Sequence, residues 1–211
     1  MTIWLFYFTG NYHTNPPERT FTMPDPADIY IPEEFESERL IIRTPRPGDG
    51  AELNAAVRES INELRPWMTW ADHIPEVSES EMVLCAAYER YKAKTALWML
   101  LFDKKTGMYI GGSGLHICDW NVPAFEIGYW VRTSCSGQGY ITEAVNAITK
   151  FAFEQLGAYR VCIKMNSLNT KSRMVAERAG FEFEGALRND ARMPDGSLED
   201  TLIYSKIRRE E

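Results

Sequence analysis

The feature that most restricts the fold is Ser136-Gly137-Gln138-Gly139-Tyr140-Ile141-Thr142-Glu143-Ala144, where a β-prone run passes through a glycine-punctuated turn into a long helix. Beyond Gly139, Ile141, Val145, Ile148, Ala152 and Leu156 recur at three- and four-residue steps, which lays one apolar face along the helix. Gly157 follows as a C-cap. The first turn of such a helix has N–H groups without intrahelical partners, and its dipole adds positive potential. Glycines let phosphate oxygens approach that backbone, so the turn suits a phosphorylated ligand without needing a lysine. No lysine followed by serine or threonine comes after the glycines, which excludes a Walker loop.

The runs around this turn set the architecture. Residues 96–102, 108–117 and 124–131 are β-prone and separated by short polar connections, which predicts an antiparallel meander and excludes the βαβ unit of a dinucleotide-binding fold. Upstream, residues 39–43 form a strand, and Pro45, Pro47 and Gly48 break it before a helix over 49–64. Pro66 ends that helix, and Trp67, Met68, Thr69 and Trp70 lead to a second helix from about Ser78. Downstream come a strand over 160–165, a helix over 169–179 closed by Gly180, and a hairpin of 181–187 with 198–207 around Pro194-Asp195-Gly196. The order predicts an α+β (mixed α/β) fold: a mostly antiparallel twisted sheet of about seven strands flanked by about four helices.

With 211 residues, 45% of them hydrophobic, the chain supports one well-buried core. Residues 35–211 read as a single domain, and residues 1–34, rich in proline and acid with no sustained period, as an arm preceding it. Met23 offers an internal alternative start. The apolar run at residues 3–8 is too short to span a membrane and lacks both a basic lead-in and a small-residue cleavage pattern. A net charge of -7 argues against a nucleic-acid partner and suits a cationic acceptor. Cys85, Cys118, Cys135 and Cys162 form no C-x-x-C pair, so they read as reduced thiols of a cytoplasmic protein, with no metal site and no disulfide. His73 and His116 have no partner at ligand spacing.

Taken together the motifs resemble the GNAT superfamily, and within it the RimJ/RimL type of ribosomal-protein N-acetyltransferase. The resemblance rests on Glu38-Arg39-Leu40-Ile41-Ile42-Arg43, Glu126-Ile127-Gly128-Tyr129-Trp130, Gly139-Tyr140 with Thr142-Glu143-Ala144, Asn169-Thr170-Lys171-Ser172, Gly180-Phe181, Glu184-Gly185, Leu187-Arg188, Asp195-Gly196, Asp200 and Tyr204, and covers most of residues 38–209. It implies the GNAT fold, acetyl-CoA as co-substrate with no metal, a homodimer as one assembly, and a primary amine as acceptor. Trp130, Val131, Arg132, Gly137, Gln138, Gly139, Tyr140, Ile141, Thr142, Asn169 and Ser172 are then the expected cofactor-binding residues. Two positions depart from the pattern: Ser134 stands where glutamine or arginine is usual, and Ala176 where many members carry a tyrosine as general acid. The backbone cradle survives the first change, and the second passes the acid role to Ser172.

Acetyl transfer needs a neutral amine, a polarised carbonyl and a protonated leaving thiolate. Alternation along residues 124–131 sets Glu126 on one face with Ala124, Gly128 and Trp130, leaving room for Glu126 to act as general base through water. That role leans on the resemblance; spacing alone also allows a solvent-facing strand glutamate. A backbone N–H near Val131, beside a splayed strand, is the expected donor to the thioester oxygen. Asn169 and Ser172 at a helix start could equally cap the helix. Trp67 and Trp70, with Trp120 farther away, are expected to wall the acceptor pocket or to pack in the core. Cys135 is a spectator. Deprotonation at pH 7 costs roughly 3 kcal/mol more for lysine than for an α-amine, which favours a protein N-terminus over a lysine side chain. A small-molecule amine stays open as the alternative acceptor, as does a non-catalytic CoA-binding protein.

Overall fold

The computed structural model describes residues 28–193 and 196–208, so the first 27 residues and the expected turn residues Pro194 and Asp195 lie outside it, as does the thiol of Cys118. The described chain runs β1 (Glu34–Glu36), β2 (Leu40–Arg43), α1 (Gly50–Leu64), α2 (Val77–Lys92), β3 (Ala96–Asp103), β4 (Tyr109–Asp119), β5 (Ala124–Val131), α3 (Tyr140–Glu154), β6 (Arg160–Asn166), α4 (Thr170–Arg178), β7 (Glu182–Arg192) and β8 (Leu198–Ile207). One sheet takes the order β1-β2-β3-β4-β5-β6-β8-β7, and only β5 and β6 pair in parallel.

The expected mixed fold is present, with one strand more than the seven expected. The addition is β1, three residues in the proline-rich segment and too short to show an alternation. It pairs antiparallel with β2, Phe35 opposite Ile42. The chain just ahead of it is fastened as well. Ile31 is buried in the core, Tyr91 Oη donates to the Pro32 carbonyl at 2.6 Å, and Lys94 Nζ donates to the Ile29 carbonyl at 2.7 Å. The boundary expected at residue 34 therefore falls inside packed chain, since single anchoring side chains between prolines leave no periodic trace.

β3 reads as a continuous apolar run because both of its faces are covered. Leu97, Met99 and Leu101 join Ile110, Leu115, Phe125 and Ile127 beneath α3, which contributes Val145, Ile148 and Ala152. Leu100 and Phe102 point the other way and pack with Tyr109, Ala56 of α1 and Leu84 of α2. Each fully buried aliphatic side chain contributes about 1.5–3 kcal/mol.

α3 is also tied to the sheet edge by charge. Glu143, in its first turn, accepts from Ser37 Oγ at 2.6 Å, the Arg39 N–H at 2.7 Å and Arg39 Nε at 2.6 Å. Burial disfavours the Glu143 charge, but these donors outweigh it and hold the carboxyl below its ordinary range. A lowered folded pKa means stabilisation that is full above the unfolded value near ~4.3 and is lost as pH falls through the folded value. Glu143→Gln should therefore lose about 1–3 kcal/mol at pH 7. In urea unfolding, the gap to the parent should close below about pH 4. A gap that stays constant to pH 3 would contradict the ionised clamp.

Candidate active site

The sheet opens at its centre. β5 and β6 pair only at Ala124–Arg160, Phe125–Val161 and Glu126–Cys162. Beyond that point β5 follows β4 as far as Val131, while β6 follows β8 as far as Asn166. The two strands part, and the opening is part of a cleft of about 1090 Å³ lined by Gly128, Trp130, Val131, Met165, Ser172 and other residues. The Arg132 N–H donates to the Ile110 carbonyl at 2.8 Å, which fixes the antiparallel alternation. The main-chain groups of Tyr129 and Val131 consequently point toward the side that β6 has left.

The N-terminus of α3 lies against the same cleft. Gly137 (φ +75°) and Gly139 (φ +81°) hold left-handed backbone, and no atom lies within 4 Å of where a Cβ on Gly137 would sit. The first helical bond is from the Glu143 N–H to the Gly139 carbonyl at 3.1 Å, so the preceding N–H groups at residues 139–142 have no helical partner. Gly137, Gly139, Tyr140, Ile141 and Thr142 all line the cleft. The turn is held from three sides. Arg39 donates to the Gln138 carbonyl at 3.0 Å and lies over the Tyr140 ring at 4.4 Å. Tyr140 Oη donates to Asp103 at 3.0 Å. Glu59 of α1 accepts the Ser134 N–H at 2.8 Å and Arg132 Nε at 2.5 Å, and these donors hold its carboxyl below the ordinary range. Arg132 is thus turned to α1 and does not line the cleft. Nor does Gln138, whose Nε2 donates to the Ser134 carbonyl.

Across the opening, Asn169 caps α4, its Oδ1 accepting the Ser172 N–H at 3.0 Å. Both residues line the cleft; Asn169 is the cap, and the side chain of Ser172 makes no capping bond but meets Tyr129. Ser172 Oγ lies 3.0 Å from the hydroxyl of Tyr129, which reaches over from β5 and is pushed up to about 12, burial outweighing the opposing effect of its bond with Ser172. Sequence reasoning passed over Tyr129, because the residues between it and α4 conceal their meeting. Ala176, on the inner face of α4, is fully buried.

Glu126 lies beyond the lining residues, its Oε2 3.0 Å from Nζ of Lys164, which does line the cleft. The β4–β5 register sets His116 directly opposite Glu126, and a Cβ on Gly128 would meet His116 Nε2 at 3.8 Å. His116 is thus a neighbour of Gly128 and Glu126 that spacing along the chain did not reveal. Trp67 lines the cleft; Trp70 stands behind it, edge-on to Trp130 at 6.2 Å between ring centroids. Trp120 packs on Phe125 instead, away from the cleft. Cys135 is buried at the cleft wall with a free thiol.

A split sheet, a helix end with unpartnered N–H groups and two facing hydroxyls thus meet in one cleft. Residues 39–182 match the model of the acetyltransferase (GNAT) domain family. The chain belongs to this family and is an N-acetyltransferase. It is 31% identical over 176 residues to YdaF of Bacillus subtilis, named as a candidate ribosomal N-acetyltransferase, covering 82% of this chain and 94% of that one. It is 35% identical over 82 residues to the ribosomal-protein-serine acetyltransferase of Escherichia coli, covering 39% and 45%. Among solved structures, the microcin C7 self-immunity acetyltransferase MccE, in complex with acetyl-CoA and AMP, superposes with a TM-score of 0.75 at 25% identity over 81% of this chain and 93% of that one. RimL, the L7/L12 α-N-protein acetyltransferase, in complex with coenzyme A, shares the fold at a TM-score of 0.76 and 22% identity, over 83% and 98%.

The indole of Trp130 lies against Gly112 of β4, where an added Cβ would meet Nε1 at 2.6 Å. Gly112→Ala should displace the indole and cost about 1–3 kcal/mol. The check is a change in tryptophan emission that disappears when Trp130→Phe is added.

Proposed function

We infer that this protein transfers the acetyl group of acetyl-CoA to the N-terminal α-amine of a protein of the ribosomal type. The observation that carries the inference is the cleft itself, in which the N–H donors of α3, the main chain of Val131 and the hydroxyl of Ser172 come together. The left-handed turn at Gly137 and Gly139 fits a pyrophosphate, because the N–H groups at the start of α3 have no helical partner, the space over Gly137 is open among the described residues, and the neighbour over Gly139 is the cationic Arg39. Trp130, Val131, Tyr140, Ile141, Thr142 and Asn169 would hold the remainder of the coenzyme. Bound acetyl-CoA supplies a thioester carbonyl and a thiol leaving group.

Within that assignment each residue has one task. Glu126, set back from the cleft beside Lys164, takes the amine proton through an intervening water. The Val131 N–H donates to the oxygen that becomes negative as the amine adds. Ser172 Oγ gives its proton to the departing sulfur. Trp67 walls the acceptor side, and the cleft lining carries Glu63, Asp190 and Glu199 together with Lys164, Lys171 and Arg178. The relatives named as ribosomal acetyltransferases support a protein N-terminus. The likeness to MccE, named for microcin C7 self-immunity, supports a small-molecule amine as the second reading. The protein is read as cytoplasmic; among the described residues no helix is long and apolar enough to cross a membrane.

Thiol release from acetyl-CoA across a panel of peptides with free N-termini and small amines tests the acceptor. Peptides should react and N-terminally blocked peptides should not; reaction of small amines alone would overturn the peptide reading. Glu126→Gln should lower kcat by about 10²–10⁴ with acetyl-CoA affinity unchanged, measured by steady-state kinetics and calorimetry. A variant with wild-type kcat would remove Glu126 from the role.

A further inference from the structure

The cleft continues past the glycine turn. A second cavity, of about 930 Å³, opens along α3, and four residues line both spaces: Gly137, Gly139, Thr142 and Arg178. The first three belong to the glycine turn and the start of α3, and Arg178 is in the last turn of α4. Thr142, Asn146, Lys150 and Glu154 recur at four-residue steps, so the second cavity follows one stripe of α3 away from the turn. Phe35 and Phe151, stacked with ring centroids 4.5 Å apart, line it as well. A ligand whose phosphates sit at the turn therefore has room on both sides, into the opening of the sheet and along α3.

The charges around this second cavity single out one side chain. Its lining holds four carboxylates, Glu36, Glu38, Glu143 and Glu154. Lys104 meets Glu36 at 2.6 Å, Arg39 meets Glu143 at 2.6 Å, and Lys150 lies 3.9 Å from Glu154. Arg178 has no ion-pair or hydrogen-bond partner among the described residues. Its guanidinium keeps its full charge and five N–H donors for a ligand. We propose that Arg178 is a specificity residue that binds the 3′-phosphate of coenzyme A and so selects the coenzyme over its 3′-dephospho form. The proposal rests on the acetyl-CoA reading above, in which the pyrophosphate sits at the glycine turn. The 3′-phosphate is one ribose away from that pyrophosphate, which suits a residue bordering both spaces where they meet. As a phosphomonoester it carries nearly two negative charges at neutral pH. Backbone N–H groups supply no full charge against it, and the neighbouring carboxylates repel it, so it needs a cation. A planar guanidinium matches phosphate oxygens with paired donors.

Calorimetric titration of wild type, Arg178→Gln and Lys150→Gln with CoA and with 3′-dephospho-CoA, in the absence of any acceptor, tests this. Wild type should bind CoA about tenfold more tightly than the dephospho form, the effect of one charge-assisted contact at an exposed side chain. In Arg178→Gln the ratio of the two Kd values should fall to about one, because CoA binding weakens about tenfold while dephospho-CoA binding is unchanged. Lys150→Gln should keep most of the ratio. Each ratio is taken within one variant, so a general loss of stability does not imitate the effect. Equal binding of the two ligands by wild type would overturn the proposal and leave the acetyl-CoA reading in place. Equal weakening of both ligands in Arg178→Gln would also overturn it, moving Arg178 to the pyrophosphate. So would a ratio that survives in Arg178→Gln, or one that Lys150→Gln abolishes as completely. Binding of neither ligand by wild type would overturn the acetyl-CoA reading itself.

Discussion

The parallel pairing between β5 and β6 is the constraint on which the rest depends. It is short, three residues on each strand, whereas each strand pairs for longer on its other side. β5 pairs with β4 from Ala124 to Val131, with a register shift between Ile117 and Asp119, and β6 pairs with β8 from Arg160 to Asn166. The sheet therefore parts where the parallel pairing ends, and main-chain groups that a continuous sheet would consume are left for a ligand. Unpaired backbone of this kind is costly in a core and tolerable at the wall of an open cleft.

The second requirement is that the mouth of the cleft hold its shape. A glycine turn with left-handed backbone is pliable by itself, and here charge and hydrogen bonding do the holding. Glu143 draws β1–β2 onto the first turn of α3, Tyr140 reaches Asp103 in β3, and Glu59 of α1 caps the short turn at Ser134. These tethers converge from three separate parts of the sequence on about ten residues. They also account for an acidic side chain at Glu143 so near a site suited to anions. Its charge is spent on Arg39 and Ser37, and the N–H groups of the turn keep their own direction.

Much of this was legible along the chain. The helix stripe after Gly139 and the three-strand meander before it are local patterns, and their element types and approximate limits appear as expected. So does the glycine turn, whose need for positive φ at Gly137 and Gly139 is a property of two residues and their neighbours. What escaped notice were partnerships between distant segments. Tyr129 looks like one more aromatic in a strand until α4 arrives beside it, 43 residues later, with Ser172. Gly112 looks like part of a glycine-rich strand until the Trp130 indole is laid over it. His116 and Lys164 flank Glu126 only through the register of β4 and the nearness of β6. Arg132 and Trp70 show the converse: their positions beside the expected site suggested roles in it, and their side chains turned to Glu59 and Trp130 instead.

The sequence by itself determined the kinds of elements, their order and the left-handed glycine turn, because helix period, strand alternation and glycine backbone freedom act over a few residues. Only the tertiary structure decided where the sheet opens, which side chains face one another across the opening, and which charges are spent on holding the turn. Those outcomes depend on strand register and on competition between partners far apart in sequence, and no local pattern records which partner wins.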